Sequence, residues 1–323
     1  MPQYYKYHPH GQVLYITSSI EQGLLFLCNP ACKALLVSCL VAALALYKVR
    51  ICHFVIEATH FHLILVVEDP EDVSKFIGFF KQETAHRINR MLGRKKRTVW
   101  CDGFDSPVVL TPLRALLAIS YLYANPGKDN LAESIDTYEG CSSWKMFTSG
   151  NLSESYEVIS RDEFKYIPLG HQNERGYEQE ARRLLASSVR KETLTIEPNA
   201  WLEAFGITDP KAQLRWNSLC VDRIRKVEAR ASKRRKSKGT RPMSAFRHRN
   251  QKFDLNRQSI RSGKRSVCVS ERKKDRREFM KHYWELVQKA KEAFKRWKLG
   301  DFSVPYPPGL YAPNMPRLAN ILP

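Results

Sequence analysis

Residues 51–67 read ICHFVIEATHFHLILVV, an apolar run with two histidines one residue apart near its middle. So apolar a stretch must lie inside the molecule. Side chains of an extended strand alternate faces, so His60 and His62 project to one side while Phe61 points into the opposite layer. Two neutral imidazoles on one face can hold a divalent cation and leave most of its coordination sphere open for a third protein ligand and a substrate oxygen. A polar pair at the mouth of a buried strand has the same spacing, so residues further along must decide between the two.

Those residues are in Thr111 to Pro126. Thr111 suits a helix N-cap, Pro112 the first helical position, and Pro126 is expected to stop the helix. Tyr121 and Asn125, four apart, share one helix face, whereas Tyr123 projects across it. A phenol can attack a phosphodiester as a covalent nucleophile, and an amide oxygen can complete a cation site. The plainer alternative is a core tyrosine near a helix end.

Taken together, the pieces resemble a known family. His60-Phe61-His62 is followed by the Phe76 to Asn89 stretch, by Trp100 to Asp105, by Tyr121 to Pro126 and by Ser142-Ser143-Trp144. That order over about residues 10–150 resembles the HUH single-tyrosine transposases and, within them, the REP-associated tyrosine transposases. Relatives usually carry Pro-Asn-His at the first histidine, where this chain has Ala58-Thr59-His60. Periodicity alone indicates only an α+β protein. The resemblance implies a ferredoxin-like antiparallel sheet with helices on its face, the HUH palm. It further implies that Tyr121 is the nucleophile and that His60, His62 and Asn125 hold Mg2+ or Mn2+. The expected substrate is single-stranded or hairpin DNA, the expected products a 5′-phosphotyrosyl link and a free 3′-hydroxyl, and the expected state a monomer or homodimer.

Charge distribution supports a polyanionic partner. The 323 residues carry a formal charge of +20, and residues 223–298 alone hold 28 Lys/Arg against 7 Asp/Glu, which leaves the remainder close to neutral. Candidate DNA contacts are Arg87, the Arg94-Lys95-Lys96-Arg97 cluster between the two motifs, and Lys233-Arg234-Arg235-Lys236. The eight cysteines are scattered, and Cys28 and Cys32 have no second pair at zinc-finger spacing. A reducing, cytoplasmic setting close to a prokaryotic nucleoid is expected. Ala34 to Tyr47 is too short to span a membrane, and the amino terminus does not read as a leader.

In chain order we expect a strand over 11–19, a helix from Pro30 to about Lys48, the histidine strand, and a helix from Pro70 with Val73, Phe76, Ile77 and Phe80 inward. A strand at 107–110 and the tyrosine helix complete a catalytic domain over 1–150. Residues 151–232 read as a helical region, with helices over 177–191 and 210–235 and with Leu214, Leu219 and Ile224 as core positions. A flexible basic arm is expected over 233–270, a basic amphipathic helix over 271–300 and a proline-rich tail over 301–323. Two other functions remain open: a domesticated nucleic-acid-binding protein that kept the fold without strand transfer, and an HUH replication or conjugation nickase. A transposase built on three carboxylates fits poorly, because no acidic cluster accompanies the strands.

Overall fold

The computed structural model describes residues 5–21, 30–91, 98–159, 189–243 and 266–316. β1 (Val13–Ser19) leads to α1 (Pro30–Leu46), then β2 (Val49–Ile56), β3 (His60–Val67), α2 (Pro70–Met91) and β4 (Val108–Val109). These six elements are the β-α-β-β-α-β unit of the ferredoxin-like fold. The sheet runs β5-β2-β3-β1-β4-β8, and its β2-β3-β1-β4 centre is antiparallel throughout. The α+β expectation and the palm architecture are therefore borne out.

The 51–67 run is two strands rather than one. Glu57, Ala58 and Thr59 reverse the chain, and the Glu57 N–H donates to the His60 carbonyl at 2.8 Å to close a hairpin. Both arms are apolar because the sheet is covered on both faces, which hides the alternation that would have marked the turn. A bulge at Cys52 interrupts β2: Ile51 pairs with Leu65, but His53 pairs with Ile64. From that point the odd-numbered residues of β2 turn to the face that the even-numbered Arg50 occupied.

One face packs under α1 and α2, with Leu14, Ile16, Phe54, Phe61, Leu63, Leu65, Phe76 and Phe80 in a single core. Phe61 sits edge-on to both Phe80 and Trp100. α1 is apolar around its whole circumference because it is enclosed; β6 (Ser153–Ile159) and β7 (Val189–Thr195), a two-stranded antiparallel sheet, cover its other side. Among described residues no helix is long and apolar enough to cross a membrane.

The other face carries α3 (Pro112–Lys128). Thr111 caps it as expected, its hydroxyl oxygen accepting from the Arg114 N–H. Pro126 does not end it. The helix runs on to Lys128, because a proline in the last turn removes one backbone donor without displacing the following residues. β5 (Cys141–Ser142) and α4 (Trp144–Ser149) close the sheet edge beside β2. α5 (Ala200–Ala204) places Trp201 and Leu202 under this face, and Arg50 pairs with Glu197 and Glu203 at 2.6 and 2.8 Å.

α6 (Pro210–Ser237) lies along α3 and buries Cys220, Ile224, Glu228, Ala231 and Arg235. Of the expected core positions only Ile224 is inside; Leu214 and Leu219 are 68% and 55% exposed, being on the side of α6 turned away from α3. The helix also continues through Lys233–Ser237, where a flexible arm was expected. Residues 244–265 lie outside the described residues, as does most of the helix expected over 177–191, and Val189 to Lys191 belong to β7. β8 (Cys268–Val269) pairs in parallel with β4, a strand that nothing in the sequence predicts. α7 (Lys273–Lys298) buries Tyr283, Val287 and Ala290 against Tyr7, Val267 and Leu310, while Trp284 is exposed. The proline-rich tail drapes over this cluster, with the Tyr311 N–H donating to the Lys6 carbonyl at 3.1 Å.

Candidate active site

On β3, His60 and His62 face α3, and their rings stand 4.6 Å apart at right angles. Val55 and Thr17 are the cross-strand neighbours of His62, and the Cys52 bulge brings Glu57 onto the same face beside His60. Glu57, His60 and His62 each offer one ligand atom, and these atoms lie within 4.8 Å of one another. This third candidate ligand was missed in the sequence, where nothing marks a bulge five residues upstream as the device that turns Glu57 inward.

The donor set fits a divalent cation. Burial, then the charges of His60 and Lys128, hold His62 well below the ordinary imidazole range, and burial also lowers His60. Both rings are thus neutral at pH 7 with lone pairs available. His62 Nδ1 meets the Tyr15 hydroxyl at 2.7 Å, which leaves Nε2 as the nitrogen turned to the site. Thr59 Oγ1 lies 3.1 Å from His60 Nδ1 and does the same for that ring. Burial first, and the Asp129 carboxylate next, push the Glu57 carboxyl up to about 9, so it is protonated at pH 7. Its Oε1 is buried without a hydrogen-bond partner, an orphan acceptor of the kind a cation would satisfy.

α3 supplies the rest. Tyr121, Asn125 and Lys128 follow one another at helical spacing along the face turned to β3. Asn125 is buried and its Nδ2 lies 2.9 Å from His62 Nε2, while its Oδ1 accepts from Lys128 Nζ at 3.2 Å. Tyr121 is 47% exposed, its ring centre 5.9 Å from that of His62. Lys128 Nζ stands 3.8 Å above the Tyr121 ring.

Tyr123 has a different position. It is fully buried, its hydroxyl 2.9 Å from His53 Nδ1 and 2.8 Å from Ser143 Oγ. Ser143 Oγ in turn accepts from the Phe54 N–H at 2.8 Å. Tyr123 thus ties α3 to β2 and has no access to substrate.

The expected DNA contacts separate. Arg87 packs between helices, 3.3 Å from Ser38 Oγ and 3.9 Å from Glu83, with little surface to offer a phosphate. Arg94, Lys95, Lys96 and Arg97 lie outside the described residues. Lys233, Arg234 and Lys236 are exposed at the end of α6. Arg235 is 4% exposed; it donates to the Gly127 carbonyl and pairs with Glu133 at 2.9 Å, so it locks α6 onto the end of α3 rather than facing solvent.

A ferredoxin-like palm with a His-x-His pair on its central hairpin and a tyrosine helix across that face is the arrangement that the sequence resemblance implies. Residues 28–110 match the family described as Transposase IS200 like, which bears out the resemblance; the matched stretch includes His60 and His62 and stops short of α3. A solved structure described as that of a REP-associated tyrosine transposase bound to a REP hairpin is also similar. It shares 16% identity over 47% of this chain and 88% of that chain, with a TM-score of 0.41. No curated protein matches the chain.

Proposed function

We propose that this protein is a metal-dependent transposase that cleaves and rejoins single-stranded DNA through a covalent 5′-phosphotyrosine at Tyr121, with a hairpin-bearing strand as the form the resemblance implies. One observation carries the reading: an exposed phenol stands edge-on to His62, whose neutral imidazole is clustered with that of His60 and with an orphaned carboxyl oxygen of Glu57. His60, His62 and Glu57, with the Asn125 amide beside them, would hold Mg2+ or Mn2+. Bound there, the ion would polarise a phosphodiester oxygen and would stabilise charge developing on it.

Tyr121 oxygen attacks phosphorus as it loses its proton; the bond to the 3′ oxygen breaks, and that oxygen takes up a proton to become a free 3′-hydroxyl. Attack by another 3′-hydroxyl reverses the step and rejoins strands without a nucleotide cofactor. A single strand suits the site because the reacting phosphate of a duplex is flanked by stacked, paired neighbours. Exposed lysines and arginines of α6 and α7 supply sequence-independent affinity for the backbone.

The test is incubation with labelled single-stranded hairpin DNA, with and without Mg2+ or Mn2+, followed by a denaturing gel. A metal-dependent protein–DNA adduct is expected from the wild type and none from Tyr121→Phe, with binding of the labelled strand near normal. An adduct that persists in Tyr121→Phe moves the nucleophile elsewhere. Binding without any adduct in the wild type leaves a nucleic-acid-binding protein that kept the fold, and cleavage without rejoining favours a nickase.

A further inference from the structure

Asn125 is asked to serve two cations with one oxygen. Its Nδ2 faces His62 Nε2 and its Oδ1 accepts from Lys128, so the amide shows its nitrogen to the imidazole pair and its oxygen to the ammonium. An amide oxygen given to a divalent ion beside His62 must leave Lys128, because the –NH2 that replaces it is a donor and cannot accept from an ammonium. In the orientation seen here the two uses compete, and repulsion between the two positive charges adds to the competition.

Lys128 is also well placed to act on the attacked phosphate. Among the described residues it pairs with no carboxylate, its Nζ lies over the Tyr121 ring, and its charge is felt by His60, His62 and Glu57. Negative charge grows on the phosphate oxygens during attack by Tyr121, and an ammonium released next to that tyrosine is directed at it.

Resting on the reading of Tyr121 and of the metal ligands above, we propose that Lys128 is a second cation of the reaction. It holds Asn125 Oδ1 in the metal-free protein and passes to a non-bridging oxygen of the attacked phosphate once that amide oxygen is taken by the divalent ion.

The proposal predicts opposite effects on two readouts of the full chain. Calorimetric titration of the DNA-free protein with Mn2+ should show Lys128→Met binding the ion about threefold to tenfold more tightly than wild type, with Lys128→Arg close to wild type. At saturating Mn2+, single-turnover adduct formation by Lys128→Met should be slower by about 10- to 100-fold, and Lys128→Arg should recover part of the loss. A misfolded variant cannot bind Mn2+ more tightly, so the first readout guards the second. An unchanged or weakened Mn2+ affinity, or an adduct rate within about twofold of wild type, overturns the proposal. If the wild type forms no adduct, the reading of Tyr121 falls separately; the Mn2+ titration still decides whether Lys128 competes for the amide oxygen.

Discussion

Glu57 shows how much a single side chain depends on its surroundings. Its carboxyl is pushed up to about 9 by burial and by Asp129, while the two imidazoles are already neutral at pH 7. Below that value a proton competes with a cation for Glu57, so affinity for Mn2+ should climb as pH rises towards about 9. Glu57→Gln should lower the affinity by about 10- to 100-fold and flatten the climb, as read by calorimetry in a pH series. A variant with the wild-type pH dependence would remove Glu57 from the ligand set. Tyr123 makes the contrasting case. Tyr123→Phe strips a buried hydroxyl from His53 and Ser143 and should cost about 1–3 kcal/mol in denaturant unfolding. His60, His62, Tyr121 and Asn125 were legible in the sequence because each lies at a spacing that a strand or a helix converts directly into a shared face. Glu57 and Lys128 were not, since their places depend on a bulge and on a helix that continues past Pro126.

At the level of elements, β2 and α3 are joined through a buried titratable group. Burial lowers His53 to about 3 from an ordinary value of 6.5, and His8 behaves alike. The unfolded chain therefore takes up protons that the folded chain refuses between these values. Their contribution to stability is complete above pH 6.5 and is lost as pH falls towards about 3. The thermal midpoint should drop across that window, and a midpoint constant down to about pH 4 would contradict the assignment of His53 as a neutral buried link. Helix caps, the first-turn proline of α3 and the inward stripe of α2 could be read from residue types. The hairpin inside 51–67 could not, because burial of both sheet faces erased the alternation, and neither could β8, two residues whose partner is 160 positions away in the chain.

For the molecule as a whole, the positive charge divides into two kinds. Arg235 is structural, and Arg235→Ala should destabilise the chain by about 1–3 kcal/mol, chiefly by stranding the Gly127 carbonyl, with the loss seen in thermal unfolding. Lys233, Arg234 and Lys236 are exposed around it. Neutralising them should weaken binding to any single strand alike and reduce the slope of log affinity against log salt by about 0.7 for each phosphate no longer neutralised, measured by anisotropy. An unchanged slope would exclude this end of α6 from the DNA-backbone interface. The Cys52 bulge bears on the whole as well. It sets the parity of every later position in β2, so deleting or inserting one residue between Arg50 and His53 would leave His-x-His and the tyrosine motif letter-perfect while rotating the carboxylate out of the centre. A change of one residue in length at this place would thus remove a candidate ligand while altering neither motif.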